Sequence, residues 1–236
     1  MDPTPELELY IVRHGQSRTN AGLADSADFR RFEDPFLTEA GAAQAQKLGA
    51  FYASLPLDCI LSSGQNRALQ TAGAVVKGRE TPSVVEVHPV FTECGLKSKF
   101  GEKRFSEIRE VFPFAVPAGG TDPAGNFVFT QDEDEDEKYL SRAREAICYL
   151  RARFHAGEKV MVVAHAAFET FMVFAALGLE TTPAYDFSFA NTGVSKLVFY
   201  PAGTGLYGSD VHLIYHNDRS HLAGQDADPL TLISAR

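Results

Sequence analysis

The stretch that decides the fold is residues 10–18, which read Tyr10-Ile11-Val12-Arg13-His14-Gly15-Gln16-Ser17-Arg18. The residues from Leu7 to Val12 alternate and end in β-branched side chains, a pattern typical of a β-strand. Gly15 then permits a tight turn or a close approach of the backbone to a ligand. The sequence therefore predicts a strand that delivers a cation and an imidazole to its carboxyl end.

Arg13 and His14 bring two kinds of chemistry to adjacent positions. A guanidinium offers a fork of donors that matches phosphate or carboxylate, and an imidazole acts as a base, a nucleophile or a metal ligand. Open α/β sheets bind their ligands at the exits of the strands. The pair indicates a reactive anion site, although a surface turn is the alternative for an isolated Arg-His-Gly tripeptide.

Predicted strands and helices alternate along most of the chain. After the first strand, the predicted strands are Cys59–Leu61, Ser83–Phe91, Val160–Ala164, Ser195–Tyr200 and Val211–His216. The predicted helices run from an N-cap at Thr38 to Tyr52, over about 65–76, and over Lys138–Phe154 and Ala166–Leu177, with an irregular excursion at about 96–137. Such alternation predicts one α/β domain over residues 1–236, with helices on both faces of a sheet.

Three further reactive side chains follow predicted strands. Arg67 comes after the second strand, Glu93 after the third and His165 after the fourth. Each has an ordinary alternative, namely a helix-surface arginine, a solvated carboxylate and a histidine capped by a local backbone bond. If the first, second and fourth strands are parallel neighbours, these groups converge with Arg13 and His14 at one edge of the sheet.

The composition is that of an ordinary globular protein, with 236 residues of which 44% are hydrophobic and 22% charged. A formal charge of −9 argues against nonspecific binding to nucleic acid, which requires a basic face. Residues 1–8 lack the apolar core of a signal peptide, and no apolar run reaches the roughly 20 residues of a membrane helix. Cys59, Cys94 and Cys148 fit reduced thiols better than a disulfide framework or a zinc site. We therefore expect a cytoplasmic protein without a membrane or nucleic-acid partner.

Several motifs, taken in chain order, resemble those of the histidine phosphatase superfamily, which includes the cofactor-dependent phosphoglycerate mutases and their phosphatase relatives. The match runs through nearly the whole chain. It is carried by residues 9–17 with Asn20, 34–41 with Gln44-Ala45, Ser62-Ser63 with Arg67-Ala68 and Gln70-Thr71-Ala72, Glu93, 162–165, Asn217-Asp218 and Ser220-His221-Leu222. The resemblance implies a three-layer α/β/α sandwich with a mostly parallel sheet, as in phosphoglycerate mutases.

The resemblance also implies what each charged residue does. His14 is the expected nucleophile, which attacks phosphorus to form a phosphohistidine, while Arg13, Arg67 and His165 surround the phosphoryl oxygens. Charge compensation of this kind carries most of the catalysis in phosphoryl transfer. An imidazole is nucleophilic only when neutral, so we expect the second ring nitrogen of His14 to donate to a backbone carbonyl near Gly15.

Glu93 matches the position of the family's proton donor, and Glu102 and Glu107 are the alternatives. General acid–base help of this kind is worth about 10²–10⁴-fold. The resemblance implies neither a metal nor another cofactor. The expected substrate-binding residues are Asn20, Gln16, Ser17 and Ala166.

The function that the resemblance implies is a metal-independent phosphomonoesterase that acts on a phosphorylated small molecule. A phosphoglycerate mutase is the nearer alternative, and a non-catalytic protein that binds a phosphate ligand is the alternative from another class. Residues 94–101 lack the mutase-like segment that recognises phosphoglycerate, which favours hydrolysis. Two further departures from the family pattern are Ala166 in place of a glycine and Gly64 in place of a proline. The resemblance specifies neither the oligomeric state nor the physiological substrate, and a phosphotyrosine protein is an alternative substrate.

The excursion at 96–137 lies where relatives place a loop over the active site, so we expect it to set substrate choice. Its basic residues, which would meet a second anionic group, are Lys97, Lys99, Lys103, Arg104 and Arg109. The acidic run 132–137 is interpreted as a solvated lead-in to the helix from Lys138, where negative charge favours the helix start. Its phenylalanines, expected to pack the excursion onto the core, are Phe100, Phe105, Phe112 and Phe114.

Overall fold

The computed structural model describes residues 3–22, 34–96, 102–129, 135–180 and 186–223. In chain order, the elements are β1 (Leu7–Arg13), α1 (Glu39–Phe51), β2 (Cys59–Ser62), α2 (Asn66–Val76), β3 (Val85–Val87), β4 (Lys103–Arg104), α3 (Phe105–Val111), β5 (Ala115–Pro117), β6 (Asn126–Val128), α4 (Asp136–Arg153), β7 (Glu158–Ala164), α5 (Ala166–Leu177), β8 (Val194–Phe199) and β9 (Val211–Asp218). No helix in these ranges is long and apolar enough to cross a membrane.

Seven of the strands form one sheet in the order β5-β3-β2-β7-β1-β8-β9. The five strands from β5 to β1 are parallel, and β8 and β9 add antiparallel pairs at one side. Arg13 on β1 pairs with Ala164 on β7, and Ser62 on β2 pairs with Val163. The carboxyl ends of the first, second and fourth predicted strands therefore lie side by side at one edge of the sheet, as the sequence predicts.

The sheet separates two apolar layers. On β1, Ile11 belongs to the cluster that includes residues of α4 and α5, whereas Val12 belongs to the cluster that includes residues of α1, α2 and α3. Side chains alternate across a strand, so one strand supplies both layers. The three-layer α/β/α sandwich with a mostly parallel sheet is confirmed.

Local signals define two helices that flank the site. The Thr38 side chain accepts from the Gly41 backbone N–H at 3.0 Å, which is the N-cap predicted for α1. Helix α5 begins directly after His165 and ends at Gly178, whose φ of 68° suits the left-handed position after a helix.

The strand predicted over Ser83–Phe91 is wrong in its second half. Strand β3 covers only Val85–Val87, and Pro89–Phe91 form a 3₁₀ turn. Proline has no N–H for a sheet ladder, and the His88 side chain accepts from the Val90 N–H at 3.1 Å, which favours the turn. The chain consequently leaves the sheet early and turns toward Glu93.

The excursion is not irregular where the structure describes it, which corrects that prediction. It contains α3 and β6, and β5 pairs with β3 at the edge of the main sheet. Apolar burial explains the order, because Phe105, Ile108 and Phe112 join the core cluster of α1 and α2. The expected packing of Phe105 and Phe112 is confirmed, and Phe114 packs against the same cluster. Lys97, Lys99 and Phe100 lie outside the described residues.

Helix α4 begins two residues before its predicted start. Asp136 and Glu137 occupy its first turn, where negative charge favours the exposed backbone N–H groups, and Lys138 pairs with Glu135 at 3.6 Å. This placement agrees with the interpretation of the acidic run as a helix lead-in, while residues 132–134 lie outside the described ranges.

Candidate active site

The exits of β1 and β7 and the residue after β2 bring two histidines together. The backbone N–H of His14 donates to Ala164 O at 3.1 Å, and that of Ser63 donates to Val163 O at 3.1 Å. These bonds extend the sheet by one residue into the site. The imidazole rings of His14 and His165 lie with their centroids 5.2 Å apart.

The hydrogen bonds of His14 define its tautomer. Its Nδ1 lies 2.7 Å from Gly15 O, and a carbonyl only accepts, so Nδ1 carries the proton. Arg67 Nε donates to Nε2 of the same ring at 3.1 Å, so Nε2 offers its lone pair. The predicted bond to the backbone near Gly15 is confirmed.

Burial also keeps the His14 imidazole neutral. Its side chain is shielded from solvent, and Arg67 and Arg13 add positive charge nearby. These causes, with burial the largest, hold the pKa of His14 well below its usual value of 6.5. The ring therefore has the charge and the tautomer that nucleophilic attack through Nε2 requires.

Arg67 projects from the first turn of α2 and is buried beside His14. Its Nη1 lies 3.7 Å from Asp34 Oδ1, and its carbonyl accepts from Thr71 Oγ1 at 2.8 Å. Thr71 Oγ1 also accepts from the Gly15 N–H at 3.0 Å, which ties α2 to the loop after β1. One hydroxyl thus links the backbone of Arg67 to the backbone of Gly15, the residue after His14.

Arg13 enters the site from the end of β1 and is 3% exposed. Its Nη1 donates to Phe189 O at 2.5 Å, and its Nε has no hydrogen-bond partner in the described part of the chain. Burial lowers the pKa of both Arg13 and Arg67, yet a guanidinium does not lose its proton in proteins. Two cations therefore flank the neutral His14.

His165 is fully buried and forms the N-cap position of α5. Its Nε2 lies 2.9 Å from Ser63 Oγ, and burial, with Arg67 next, holds its pKa well below the usual value. Ala166 is the first residue of α5, where a helix leaves backbone N–H groups without intrahelical acceptors. Alanine keeps the backbone N–H that a glycine would have at this position.

Glu93 reaches the site after the 3₁₀ turn that follows β3. Its Oε1 accepts from the Cys94 N–H at 2.9 Å and from the Phe168 N–H, in the first turn of α5, at 3.1 Å. Its own N–H donates to Gln65 Oε1 at 3.0 Å. Its carboxylate also interacts electrostatically with both Arg13 and Arg67. Its neighbours thus place Glu93 beside the two cations.

The two alternative acids are bound elsewhere. Glu102 is exposed and accepts from the Asn126 side chain. Glu107 is exposed and caps α3 by accepting from the Arg104 N–H at 2.8 Å. Lys103, expected as a rim cation, pairs with Asp34 at 2.7 Å.

Asn20, Ser17 and Gln16 are held within the loop after β1. Asn20 Oδ1 accepts from the Ser17 N–H at 3.2 Å and from Asn191 Nδ2 at 3.3 Å. Gln16 Oε1 accepts from Thr38 Oγ1 at 2.8 Å, so its side chain is turned toward α1. The structure thus connects Asn20 to the site through Asn191.

The loop 189–193 was not predicted as part of the site, although it contacts the backbone of Arg13 and His14. Asn191 Nδ2 donates to His14 O at 3.0 Å, and the Thr192 N–H donates to Arg13 O at 3.0 Å. Asn217 holds this loop by accepting from the Ala190 N–H at 2.8 Å. The Asn217 motif near the end of the chain was the available signal.

Gly64 is explained by a close approach. A Cβ at Gly64 would lie 2.6 Å from Phe127 O and 3.0 Å from Ile108 Cδ1. Strand β6 and helix α3 therefore occupy the space that the proline of relatives would need. Within the described ranges, no group of three or more His, Cys, Asp or Glu side chains is arranged to hold a metal ion.

A family model of the histidine phosphatase superfamily (branch 1) matches residues 9–208. The chain belongs to the histidine phosphatase superfamily.

Two relatives carry phosphatase names. This histidine phosphatase superfamily member is 29% identical over 203 residues to "Probable 2-carboxy-D-arabinitol-1-phosphatase" of Arabidopsis thaliana, an alignment that covers 84% of the chain and 39% of the relative. It is 38% identical over 77 residues to the adenosylcobalamin/alpha-ribazole phosphatase of Salmonella typhi, which covers 32% of the chain and 36% of the relative. The matched part is thus under two-fifths of the length of each of these relatives.

Solved structures share the fold of this superfamily member. The phosphoserine phosphatase of Entamoeba histolytica, in complex with 3-phosphoglyceric acid, aligns with a TM-score of 0.62 at 20% identity, over 92% of this chain and 99% of that chain. Bacillus stearothermophilus YhfR aligns with a TM-score of 0.62 at 26% identity, over 91% of this chain and 98% of that chain. The superfamily fold thus extends over most of the chain.

Proposed function

We propose that this protein is a metal-independent phosphomonoesterase that acts on a phosphorylated small molecule through a phosphohistidine intermediate. The observation that carries the proposal is the state of His14, a neutral, buried imidazole whose Nε2 lone pair is directed at Arg67. The phosphatase names of the two curated relatives support the reaction class.

In the first step, His14 Nε2 attacks phosphorus, and the bond between phosphorus and the ester oxygen breaks. Glu93 transfers a proton to the departing alkoxide, so the products are an alcohol and the phosphoenzyme. In the second step, water attacks phosphorus, the bond to Nε2 breaks and the Glu93 carboxylate takes up the proton of the water. Inorganic phosphate leaves, and both side chains return to their starting states.

Charge compensation explains why these residues suffice for the reaction. Arg13 and Arg67 both lie near enough to His14 to act on its charge, and they supply donors for the equatorial phosphoryl oxygens. Arg67 Nε donates to the same lone pair that must attack, so substrate binding requires this N–H to move from His14 to a phosphoryl oxygen. The phosphate itself thereby releases the nucleophile.

The test is a panel of phosphomonoesters assayed with and without a chelator, with native protein, His14→Ala and the exposed control His155→Ala. We expect hydrolysis by the native protein and by His155→Ala in both conditions, and a loss of at least about 10³-fold in His14→Ala. Native-like activity of His14→Ala would refute the nucleophile, and loss with chelator would refute the metal-free reaction.

Trapping separates turnover from mere binding. Acid-labile labelling from a ³²P-phosphomonoester is expected in the native protein and absent in His14→Ala. Binding of phosphate without labelling or release would favour a phosphate-binding protein. Interconversion of phosphoglycerates faster than their hydrolysis would favour a mutase.

We also propose that the protein works in the cytoplasm. Its three cysteines are free thiols, as expected in a reducing compartment. Localisation of the tagged full chain by microscopy or fractionation tests this proposal.

A further inference from the structure

We propose that Arg142 of α4 is a positioning residue for Glu93. The inference rests on the proposed function, in which Glu93 protonates the leaving group. Arg142 contacts the two residues that hold the Glu93 carboxylate, and so fixes the direction in which that carboxylate faces the substrate.

The contacts of Arg142 converge on the neighbours of Glu93. The Arg142 guanidinium carbon lies 4.2 Å from the centroid of the Phe168 ring, and its Nη2 donates to Cys94 Sγ at 3.6 Å. The backbone N–H groups of these same two residues donate to Glu93 Oε1, at 3.1 Å and 2.9 Å. One guanidinium therefore supports both amides that hold the acid.

Helix α4 supports this arrangement at a second point. Tyr139, one turn before Arg142, accepts from the Gly95 N–H at 2.9 Å and lies with its ring centroid 5.8 Å from the guanidinium. Phe129 adds a ring at 5.3 Å. Cys94 and Gly95 are thus both held against α4 by polar contacts.

Among the described residues, the charged and polar groups around Arg142 indicate no structural role other than its interaction with the segment that carries Glu93. The structure shows no ion pair of Arg142 with an acid of the described ranges, and its buried Nη1 has no hydrogen-bond partner there. The ionisable groups that interact with it are Cys94, Glu93 and Tyr139, and it also lowers the pKa of His165. Partial burial of a cation that has no carboxylate partner among the described residues is costly, and aromatic faces offset part of that cost. Glu93 is the carboxylic acid that interacts electrostatically with Arg142.

The experiment compares phenyl phosphate with p-nitrophenyl phosphate, which have similar shapes but leaving groups of different basicity. A misplaced general acid slows only the reaction whose leaving group needs a proton. A displacement of about 1 Å costs on the order of 10²-fold. We expect Arg142→Met to lower kcat/KM for phenyl phosphate by about 10–100-fold and that for p-nitrophenyl phosphate by less than about 3-fold.

Matched variants complete the design. Arg144→Met, on the same helix at an exposed pair with Glu180, should leave both substrates unchanged. Glu93→Gln should show the same selectivity as Arg142→Met, with a larger loss in kcat/KM for phenyl phosphate. Vanadate binding should be retained in Arg142→Met, because the groups around His14 are intact. If Arg142→Met does not fold, Arg142→Lys decides, since it retains charge but loses the planar stacking and should show the same selectivity at smaller size.

Equal losses for the two substrates, or no loss, in the folded variant would overturn the role of Arg142. The proposed function fails separately, if His14→Ala remains active. When His14→Ala is inactive and Glu93→Gln is selective for the leaving group but the Arg142 variants are not, the inference alone is wrong.

Discussion

Glu169 is an acid inside the catalytic core that the proposed reaction does not use. It lies on α5 one turn after His165, with 0% exposure, and its N–H donates to His165 O at 2.8 Å. Burial raises its pKa well above the usual 4.5, and Arg13 offsets this only in part. The direction of this shift favours the neutral carboxylic acid over the carboxylate near Arg13.

The raised pKa of Glu169 predicts a pH-dependent stability. An acid whose pKa is raised on folding stabilises the protein fully below its unfolded pKa, and this contribution is lost as the pH rises through its folded pKa. We expect Glu169→Gln to raise the thermal midpoint more at pH 8 than at pH 5, measured by circular dichroism. The exposed Glu145→Gln is the control and should change neither value appreciably. An unchanged pH profile in Glu169→Gln would show that Glu169 does not titrate as argued.

His14 offers a second prediction from its charge state. A base with a lowered pKa stays neutral as the pH falls past its usual value, so the ring of His14 should remain a neutral Nδ1–H tautomer from pH 8 to below 6.5. The measurement is ¹⁵N NMR of the histidine rings, with the signals of His14 assigned by their loss in His14→Ala. A titration midpoint near 6.5 for these signals contradicts the expectation.

At the level of elements, the loop after β1 and the start of α1 meet without room for side chains. A Cβ on Gly41 would lie 2.0 Å from Gln16 O, and one on Gly15 would lie 2.6 Å from Gly41 O. The atoms in the way, Gln16 O and Gly41 O, belong to the backbone, so they can move only if the surrounding backbone shifts. The position of His14 therefore depends on two glycines from separate elements.

Gly41→Ala should consequently destabilise the fold and impair activity. We expect a loss of about 2–3 kcal/mol in the free energy of unfolding, measured with urea, because an added methyl group in a tight contact forces the backbone to shift. Gly119→Ala makes the same change where the nearest atom is 3.9 Å away, and should stay near the native value. A stability of Gly41→Ala equal to that of Gly119→Ala would show that the contact gives way easily.

The sequence predicts elements well where one periodic pattern ends in a clear signal. Thr38 and the Ala-rich stretch after it marked α1, and the apolar run to Ala164 marked β7. The prediction failed after Val87, because the choice between strand and turn depended on the His88 side chain accepting from Val90. It failed again at β5, whose pairing with β3 is a contact between distant segments.

The same distinction applies to the candidate site. Arg13, His14, Arg67 and His165 were predicted because each ends or follows an apolar strand, and the sheet order brings them together. Asn191 was missed, since its contact with His14 O depends on a loop in which Thr192 has a φ of 56°. A contact with a carbonyl that is far away in the sequence cannot be predicted from a local sequence pattern.

For the whole molecule, β1 links the two apolar layers. Ile11 and Val12 are adjacent and both 0% exposed, but they contribute to opposite clusters. Each layer packs on its own face of the sheet, but both faces are formed by the same strands, so we propose that the chain unfolds as a single cooperative unit.

Calorimetry of two variants tests this cooperativity. Ile11→Ala and Val12→Ala should each lower one shared transition, with a cost of about 2–4 kcal/mol as for other large core truncations. The calorimetric and van't Hoff enthalpies should agree in the native protein. Two resolved transitions, each sensitive to only one substitution, would show that the layers are separate units.

The place of β7 between β1 and β2 also orders events during synthesis. Strands β1 and β2 leave the ribosome well before β7 (Glu158–Ala164). Until β7 is made, each of them has an unpaired edge on the side where β7 binds in the native sheet. Open strand edges are templates for pairing with other chains, so we expect the chain to be most prone to aggregation before β7 has been made. A truncated chain that ends before β7 also lacks His165, so it cannot form the complete site.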